Sequence, residues 1–140
     1  MPLVLTDQPL DATALLGSVT SPERGGVVLF LGVVRCSAAD GDVTGIEYSA
    51  YADMAEAEFA RIVEEAARRW PGVAVAVRHR VGWVPVGEPS IAIATAAPHR
   101  ADAYEASRYV IDETKRRVPV WKKEHHAGGR TPRWVEPAHA

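Results

Sequence analysis

The stretch IAIATAAPHRADAYEASRYVIDETKRRVP, residues 91–119, decides the fold class of this chain. Residues 91–97 are apolar or small and include β-branched types, which predicts a strand. The run 100–117 is rich in helix formers and carries an apolar stripe at helical spacing, so it predicts a long helix. Pro119 ends that helix and pushes Val118 toward an extended conformation. A strand that leads directly into a long helix predicts a mixed architecture.

The remainder of the chain continues this mixture of strands and helices. GGVVLFLGVV, residues 25–34, is almost wholly apolar and predicts a strand buried on both faces. VTGIEYSAY and VAVAVRHRVG predict two further strands, and RWVEP predicts a short last one. Residues 52–70 predict a second long helix, and Asp11 caps a short one that runs to Gly17. The sequence therefore predicts a single domain of the α+β class.

Two stretches lack the pattern of a helix or a strand. CSAADGD, residues 36–42, is small, polar and turn-prone, which predicts a mobile loop. WVPVGEPS, residues 83–90, contains prolines and a glycine that interrupt the hydrogen bonding of a sheet, so it predicts an irregular segment.

The composition is that of a chain large enough for one globular core, with 140 residues of which 47% are hydrophobic. The formal net charge is −2, and aromatic side chains are not interleaved with a basic groove, which argues against nucleic-acid binding. The single Cys36 excludes an internal disulfide and fits a reducing cytoplasm. His125 and His126 lack partners at metal-ligand spacing, and no apolar run has the length of a membrane span. We expect a cytoplasmic protein with no metal, cofactor, nucleic acid or membrane association.

Every lysine of the chain lies in KRRVPVWKKE, residues 115–124, whereas the rest of the 16 basic side chains are arginine. A guanidinium stays protonated at ordinary pH, but an amine can be deprotonated where its surroundings disfavour the charge. An amine held beside Arg116 or Arg117 against Trp121 would be desolvated and repelled by like charge, and could act as a base or nucleophile. The alternative is that Lys115 and its basic neighbours only complement the negative end of the helix dipole.

Three further positive side chains stand at the ends of predicted strands. His99 and Arg100 lie where a strand meets the N-terminus of a helix, and backbone N–H groups there favour an anion such as phosphate. The alternative is that His99 caps the helix and Arg100 pairs with Asp102 or Glu105. Arg35 follows the other apolar strand, at the mouth of the predicted loop.

Four blocks of the sequence together resemble the large, catalytic subunit of molybdopterin synthase. They are GGVVLFLGVVR, then ARRWPG followed by VAVRHRVGWVPVGE, then ATAAPHRADAYEASRYVIDETKRRVPVWKKE, and finally RWVEP. The His-Arg pair, the K-x-x-x-P-x-W-K-K-E segment and the closing R-W-V-E occur in that order, which makes the resemblance specific. It covers residues 25–137.

The resemblance implies an α/β hammerhead with an additional antiparallel β subdomain. It implies one domain of residues 1–140, with 1–24 as an N-terminal segment and 118–140 as an active-site segment and tail. It also implies a sulfurtransferase of molybdenum cofactor biosynthesis, which converts cyclic pyranopterin monophosphate into molybdopterin. In that family the dithiolene sulfurs come from the thiocarboxylated Gly-Gly terminus of a small ubiquitin-like subunit, so the resemblance implies such a partner. The resemblance further implies that two large subunits form a homodimer within a heterotetramer, and that each small subunit inserts its tail into the active pocket.

Carried over by position, the resemblance implies that Lys115 is the catalytic lysine and Lys122 a second active-site lysine. The residues matched to a pterin and phosphate pocket, to which both large subunits can contribute, are Arg35, His99, Arg100 and, near its edge, Arg133. Sulfur transfer requires proton transfers and stabilised oxyanions, for which a tunable amine is suited. The alternative function is a non-catalytic module that binds a phosphorylated metabolite or a ubiquitin-like tail with the same basic groups.

Overall fold

Strands and helices are mixed along the chain in the computed structural model, which describes residues 2–36, 42–129 and 131–135. The helices of these residues are Ala12–Val19 (α1), Ala52–Arg69 (α2) and Arg100–Arg117 (α3). The strands are Leu5–Thr6 (β1), Gly26–Val33 (β2), Val43–Ala50 (β3), Ala74–Arg80 (β4), Gly82–Pro85 (β5), Pro89–Ala97 (β6), Val120–His126 (β7) and Arg133–Val135 (β8). The predicted α+β class is confirmed, whereas residues 37–41 of the predicted loop lie outside the described residues.

The strands form two four-stranded sheets. Sheet A has the order β1-β4-β6-β2, and sheet B has the order β5-β3-β7-β8. The pair β1–β4 is parallel, and the other pairs are antiparallel. Sheet B corresponds to the antiparallel subdomain that the resemblance implied. None of the described helices is long and apolar enough to cross a membrane.

The main core lies between one face of sheet A and the two long helices. Phe59 and Ile62 of α2 and Val110 of α3 are fully buried, and they pack with Val77 and Ile93 of the sheet. The helical spacing of these apolar side chains turns one face of each helix toward the sheet. On the opposite face of sheet A, α1 packs through two apolar side chains on the alanines of β6; the residues of this cluster are Leu15, Val19, Ala92, Ala94 and Ala96.

Local signals in the sequence account for the helix ends. The carboxylate of Asp11 accepts a hydrogen bond from the backbone N–H of Ala14 at 3.0 Å, which caps α1 as predicted. α3 begins after Pro98 and ends before Val118, whose φ of −81° and ψ of 128° are extended. The predicted effect of Pro119 on the residue before it is therefore confirmed.

The prediction that residues 25–34 form a strand buried on both faces is wrong about burial. β2 is the edge strand of sheet A, and β6 is its one partner among the described strands. Val27, Leu31 and Val33 remain 41%, 38% and 47% exposed, because α1 covers β6 and leaves the outer face of β2 open. The fully buried strand is β6, in which every residue from Ser90 to Ala97 is buried.

Two strands lie where the sequence did not predict them. β5 occupies part of WVPVGEPS, but it is an edge strand that ends at Pro85, and β6 begins at Pro89. Prolines at these positions remove no hydrogen bond that the interior of the sheet requires. The prediction of an irregular segment is therefore wrong for residues 83–85 and 89–90, whereas residues 86–88 form a turn as predicted. β7 occupies VWKKEHH, whose charged side chains hide the alternation of a strand.

Candidate active site

An open cavity of about 540 Å³ lies where the two sheets and the C-terminal end of α3 meet. Its polar lining consists of Arg35, Tyr48, Ser90, Asp112, Lys115, Lys122 and Glu124. Its apolar lining includes Phe30, Ile46, Ile111 and Val135. The cavity therefore combines two amines, one guanidinium and two carboxylates with apolar walls, which is typical of a site that binds an anionic small molecule.

The two lysines reach this cavity from different layers of the molecule. Lys115 lies in the last turn of α3, which packs on sheet A, whereas Lys122 lies on β7 of sheet B. Because side chains alternate along a strand, Lys122 and Glu124 face the cavity while Lys123 faces the opposite side. There the Nζ of Lys123 lies 5.0 Å from the centre of the Trp134 ring.

The environment of Lys115 disfavours its positive charge. Burial lowers the pKa of its amine from 10.5 to about 8, with a further contribution from the like charge of Lys122. The lowered pKa gives this amine the reactivity of a base or nucleophile near neutral pH. The predicted neighbours are wrong, since the like charge comes from Lys122 and not from Arg116 or Arg117. The ring of Trp121 packs against Tyr51 instead, with the two ring centres 4.8 Å apart.

Arg117 joins α3 to α2 instead of facing the cavity. Its guanidinium contacts Glu58 and Glu65 of α2, each at 2.7 Å, and Glu113 of α3 at 3.0 Å. Hydrogen bonds from Arg117 and Tyr109 lower the pKa of Glu65 to about 2. This ion-pair cluster is structural: Arg117 joins two helices through carboxylates, a role that neither interpretation of the basic run predicted.

A layer of buried aromatic and polar side chains supports the cavity from below. Tyr48 is 5% exposed and forms a hydrogen bond with Ser90, and burial raises the pKa of its phenol. The Oγ of Ser90 donates to the backbone oxygen of Gly32 at 3.3 Å. His79 packs edge-on against Tyr48, with 5.3 Å between ring centres. Burial, and the charges of the two lysines, lower the pKa of His79 to about 4, so it is uncharged at neutral pH.

Arg133 lies beside the cavity and forms an ion pair with Glu124, which lines it. Its Nη2 contacts Glu124 Oε1 at 2.7 Å, and the side chain is 69% exposed. The Nε2 of His126 lies 3.7 Å from the same oxygen, and its Nδ1 lies 3.4 Å from Asp42.

The neighbouring His125 contacts Glu47 at 3.1 Å on the other face of sheet B. As predicted, the two adjacent histidines point apart.

His99 and Arg100 do not reach this cavity within one chain. Both are exposed at the N-terminal end of α3, and at about 1.5 Å per residue Arg100 lies about 22 Å from Lys115 along the helix. His99 stands at the cap position but forms no capping hydrogen bond through its side chain. Glu105 accepts a hydrogen bond from the indole of Trp70 at 3.0 Å, and among the described residues Arg100 has no ion pair with it.

Several lining residues were missed in the sequence. Glu124 stands two residues after Lys122, so the alternation of a strand would have identified it if β7 had been recognised. Tyr48 lies opposite Lys122 in the pairing of β3 with β7. Ser90 comes from a strand of the other sheet. No local pattern predicts those two contacts, because they depend on how distant strands meet.

The family model described as MoaE protein matches residues 5–117 of this chain. The chain belongs to the MoaE family. Its MoaE relatives include molybdopterin synthase catalytic subunit 1 of Mycobacterium tuberculosis, 42% identical over 125 residues that cover 89% of this chain and 85% of that protein. The molybdopterin synthase catalytic subunit of Halalkalibacterium halodurans is 39% identical over 131 residues, which cover 94% and 83% of the two chains. The resemblance inferred from the four sequence blocks is confirmed.

Solved structures agree with this membership of the MoaE family. The crystal structure of molybdopterin synthase from Staphylococcus aureus matches with a TM-score of 0.89 and 33% identity, over 96% of each chain. A complex of subunits 1 and 2 of molybdopterin-converting factor from Helicobacter pylori matches with a TM-score of 0.78 over 94% of this chain and 88% of that one. At 20% identity this second likeness concerns the fold alone.

Proposed function

We propose that this MoaE chain is the catalytic subunit of a molybdopterin synthase, an enzyme of molybdenum cofactor biosynthesis. It converts cyclic pyranopterin monophosphate to molybdopterin by installing dithiolene sulfurs. The observation that carries the proposal is the cavity in which an amine with a pKa of about 8, that of Lys115, lies beside Lys122 and Arg35. The relatives named above as molybdopterin synthase catalytic subunits support it.

The cavity residues have separate roles in this proposal. Lys115 is the general acid and base or the transient acyl acceptor, since its amine can exchange a proton near neutral pH. Lys122 places a second amine beside it and stabilises oxyanions that develop during transfer from the acyl donor. Arg35, at the end of β2, supplies a guanidinium for the phosphate of the substrate. Arg133 holds Glu124 at 2.7 Å and thereby limits the negative charge at the edge of the pocket.

The sulfur donor in this proposal is a small ubiquitin-like subunit with a thiocarboxylated Gly-Gly terminus. Apolar side chains, Phe30 and Ile46 among them, line the cavity and offer contacts to an extended tail. Gly-Gly has no side chains, so it fits a narrow approach to the amines. The complex from Helicobacter pylori, which joins two subunits of a molybdopterin-converting factor, supports such a partnership. We further propose a cytoplasmic location, which suits a chain with a single cysteine.

A second copy of the chain accounts for His99 and Arg100 in this proposal. At one end of β2, Gly26 packs so closely on the backbone of Arg100 that a Cβ there would lie 2.7 Å from its Cα. At the other end, Val33 lines the cavity. A two-fold axis near the middle of β2 would therefore bring Arg100 of one copy to the cavity of the other. The exposed apolar side chains of β2 supply the surface for that contact.

Reconstitution tests the reaction and the assignment of the amine together. The chain is combined with a thiocarboxylated small subunit and cyclic pyranopterin monophosphate, and dithiolene product is measured. We expect Lys115→Ala to reduce the rate at least about a hundredfold, as loss of a general acid or base does. Lys115→Arg keeps the charge but removes the tunable amine, so it is expected to be nearly as slow.

Lys123→Ala is the matched control, because this neighbouring lysine lies on the outer face of β7. A wild-type rate for Lys115→Ala would refute the assignment of Lys115. If the wild-type chain binds substrate and partner tightly but forms no product, the chain is a binding module instead of an enzyme.

A further inference from the structure

His79 connects the two sheets beneath the cavity. It lies on β4 of sheet A with 6% exposure, and its ring meets that of Tyr48, on β3 of sheet B, at an interplanar angle of 72°. The Nδ1–H donates to the backbone oxygen of Arg80 at 2.8 Å. A carbonyl oxygen can only accept, so this hydrogen bond fixes the tautomer and the orientation of the neutral ring.

Tyr48 transmits this contact to the two lysines. It is the residue opposite Lys122 in the pairing of β3 with β7, and both side chains line the cavity. Lys115 enters the same cavity from α3, which packs on sheet A. The spacing of the amines therefore depends on how sheet B docks onto sheet A. The chain through Pro119 links the two layers on one side of the cavity, and the contact between His79 and Tyr48 links them underneath.

We propose that His79 is a positioning residue for Lys115 and Lys122, because its ring against Tyr48 holds sheet B at the spacing from α3 that the two amines need. The inference rests on the proposed function in one respect, namely that the two amines take part in sulfur transfer. The contact itself is independent of substrate and partner. If His79 were merely structural, it would only donate its hydrogen bond to the Arg80 carbonyl. Removal of its ring would then leave the spacing of the two lysines unchanged.

The pKa of Lys115 reports this spacing. Burial and the like charge of Lys122 both lower it, so an opened contact that admits water or separates the amines raises it toward 10.5. The charged and titratable groups that share the cavity with Lys115, or underlie it, are Arg35, Asp112, Lys122, Glu124, Tyr48 and His79. The variants below alter only the last two.

Two substitutions separate the ring contact from the hydrogen bond. His79→Asn retains an N–H that can donate to the Arg80 carbonyl but removes the ring. His79→Phe retains a ring against Tyr48 but removes the donor. Lys115 is titrated in the full chain through the pH dependence of its acetylation, measured by peptide mass spectrometry with Lys123 as the internal reference. No substrate or partner is present, so failure of the sulfur-transfer proposal and failure of this one are distinguishable.

The expected result is that His79→Asn raises the acetylation midpoint of Lys115 by about one pH unit, equivalent to about a tenfold slower relative acetylation near neutral pH. His79→Phe should leave the midpoint close to that of the wild type. Tyr48→Leu, which removes the other ring, should shift the midpoint as His79→Asn does. His125→Asn is the matched control, because it removes a similar edge-on contact, to Trp83 at 5.2 Å, on the outer face of sheet B.

An unchanged midpoint in folded His79→Asn would overturn the proposal. A shift of the Lys115 midpoint in His79→Phe but not in His79→Asn would also overturn it. The hydrogen bond to Arg80, and not the ring contact, would then control the spacing of the amines. An equal shift in His125→Asn would mean general loosening of sheet B and would also overturn it. If His79→Asn does not fold, Tyr48→Leu decides the question by the same criterion.

Discussion

The amine of Lys115 is a charged group in an environment that favours its neutral form. The fold withdraws it from water and sets a second amine, that of Lys122, beside it. Folding therefore costs free energy while Lys115 is protonated, and this cost is what makes the amine reactive. Neither Cys36 nor His79 is a charged group withdrawn from water in this way. Cys36 is exposed, and His79 is a buried ring that is uncharged at neutral pH.

Replacement of Lys115 by methionine should stabilise the protein in a pH-dependent manner. The folded-state pKa of about 8 lies below the ordinary 10.5, so the unfolded chain binds more protons between these values and the wild type gains stability as pH rises through them. We expect Lys115→Met to be more stable than the wild type by about 2 kcal/mol at pH 7, discounted for partial exposure, with the difference vanishing near pH 10.5. Urea denaturation from pH 6 to about 10.5 measures this.

Lys123→Met serves as the comparison for that experiment, because it removes the same charge from the outer face of the same segment. A stability difference for Lys115→Met that stays constant across the pH range would contradict the lowered pKa.

At the scale of elements, the end of α3 distributes three consecutive basic side chains to three environments. Successive residues of a helix are rotated by about 100°, so they cannot share a face. Lys115 faces the cavity, Arg116 pairs with Glu113 at 2.6 Å, and Arg117 holds α2. The cluster around Arg117 thus fixes the end of α3 from which Lys115 projects.

Arg117→Met is expected to destabilise the protein by about 1–2 kcal/mol, because it leaves Glu65 without the cation that pairs with it and leaves Glu58 with the exposed Arg61 alone, both in partly buried positions. The pKa of Glu65 is lowered to about 2, so its contribution is present above the ordinary pKa of a glutamate and is lost as pH falls toward 2. The difference between variant and wild type should therefore shrink between about pH 4.5 and 2. Urea denaturation at several pH values measures it.

Arg116→Met is the matched control, because Arg116 is 69% exposed and an exposed ion pair contributes little. Equal losses for the two variants would show that Arg117 does not clamp the helices.

The strands show which elements could be predicted from sequence. α3 was predictable because prolines stand on both sides of it, and β6 because its apolar run is continuous. β7 was not, since its inward face lines a polar cavity and its outward face carries Lys123 and aromatic neighbours, so neither face is a simple apolar stripe. The burial of β2 was mispredicted because an apolar sequence cannot tell whether the fold or a second molecule covers it.

At the scale of the whole molecule, the matched site residues fall into two groups at opposite ends of α3. Lys115, Lys122 and Arg35 meet in one chain, and the family resemblance allowed this group to be named in advance. His99 and Arg100 lie at the other end. The predicted helix of residues 100–117 already places Arg100 and Lys115 near its two ends, but a resemblance matches residues without stating which copy of the chain supplies each.

Hybrid dimers test whether the second copy supplies Arg100. Lys115→Ala and Arg100→Ala chains, each nearly inactive alone, are mixed after mild dissociation and reconstituted with the small subunit. If the site is shared, each hybrid holds one intact site, and a random mixture should recover about a quarter of the wild-type rate. A mixture no more active than its components would contradict sharing between copies. A mixture of Lys115→Ala with Lys122→Ala, two residues of the same cavity, is the control and should stay inactive.

Pro119 lies between α3 and β7. The number of residues from Pro119 to Lys122 is therefore constrained in evolution. Deleting one residue between Pro119 and Lys122 would reverse the faces of β7, sending the second amine outward and turning the indole or Lys123 inward. Side chains between Pro119 and Lys122 can be substituted one at a time, but residues cannot be inserted or deleted there. Homologous chains should therefore vary in composition here far more readily than in residue count.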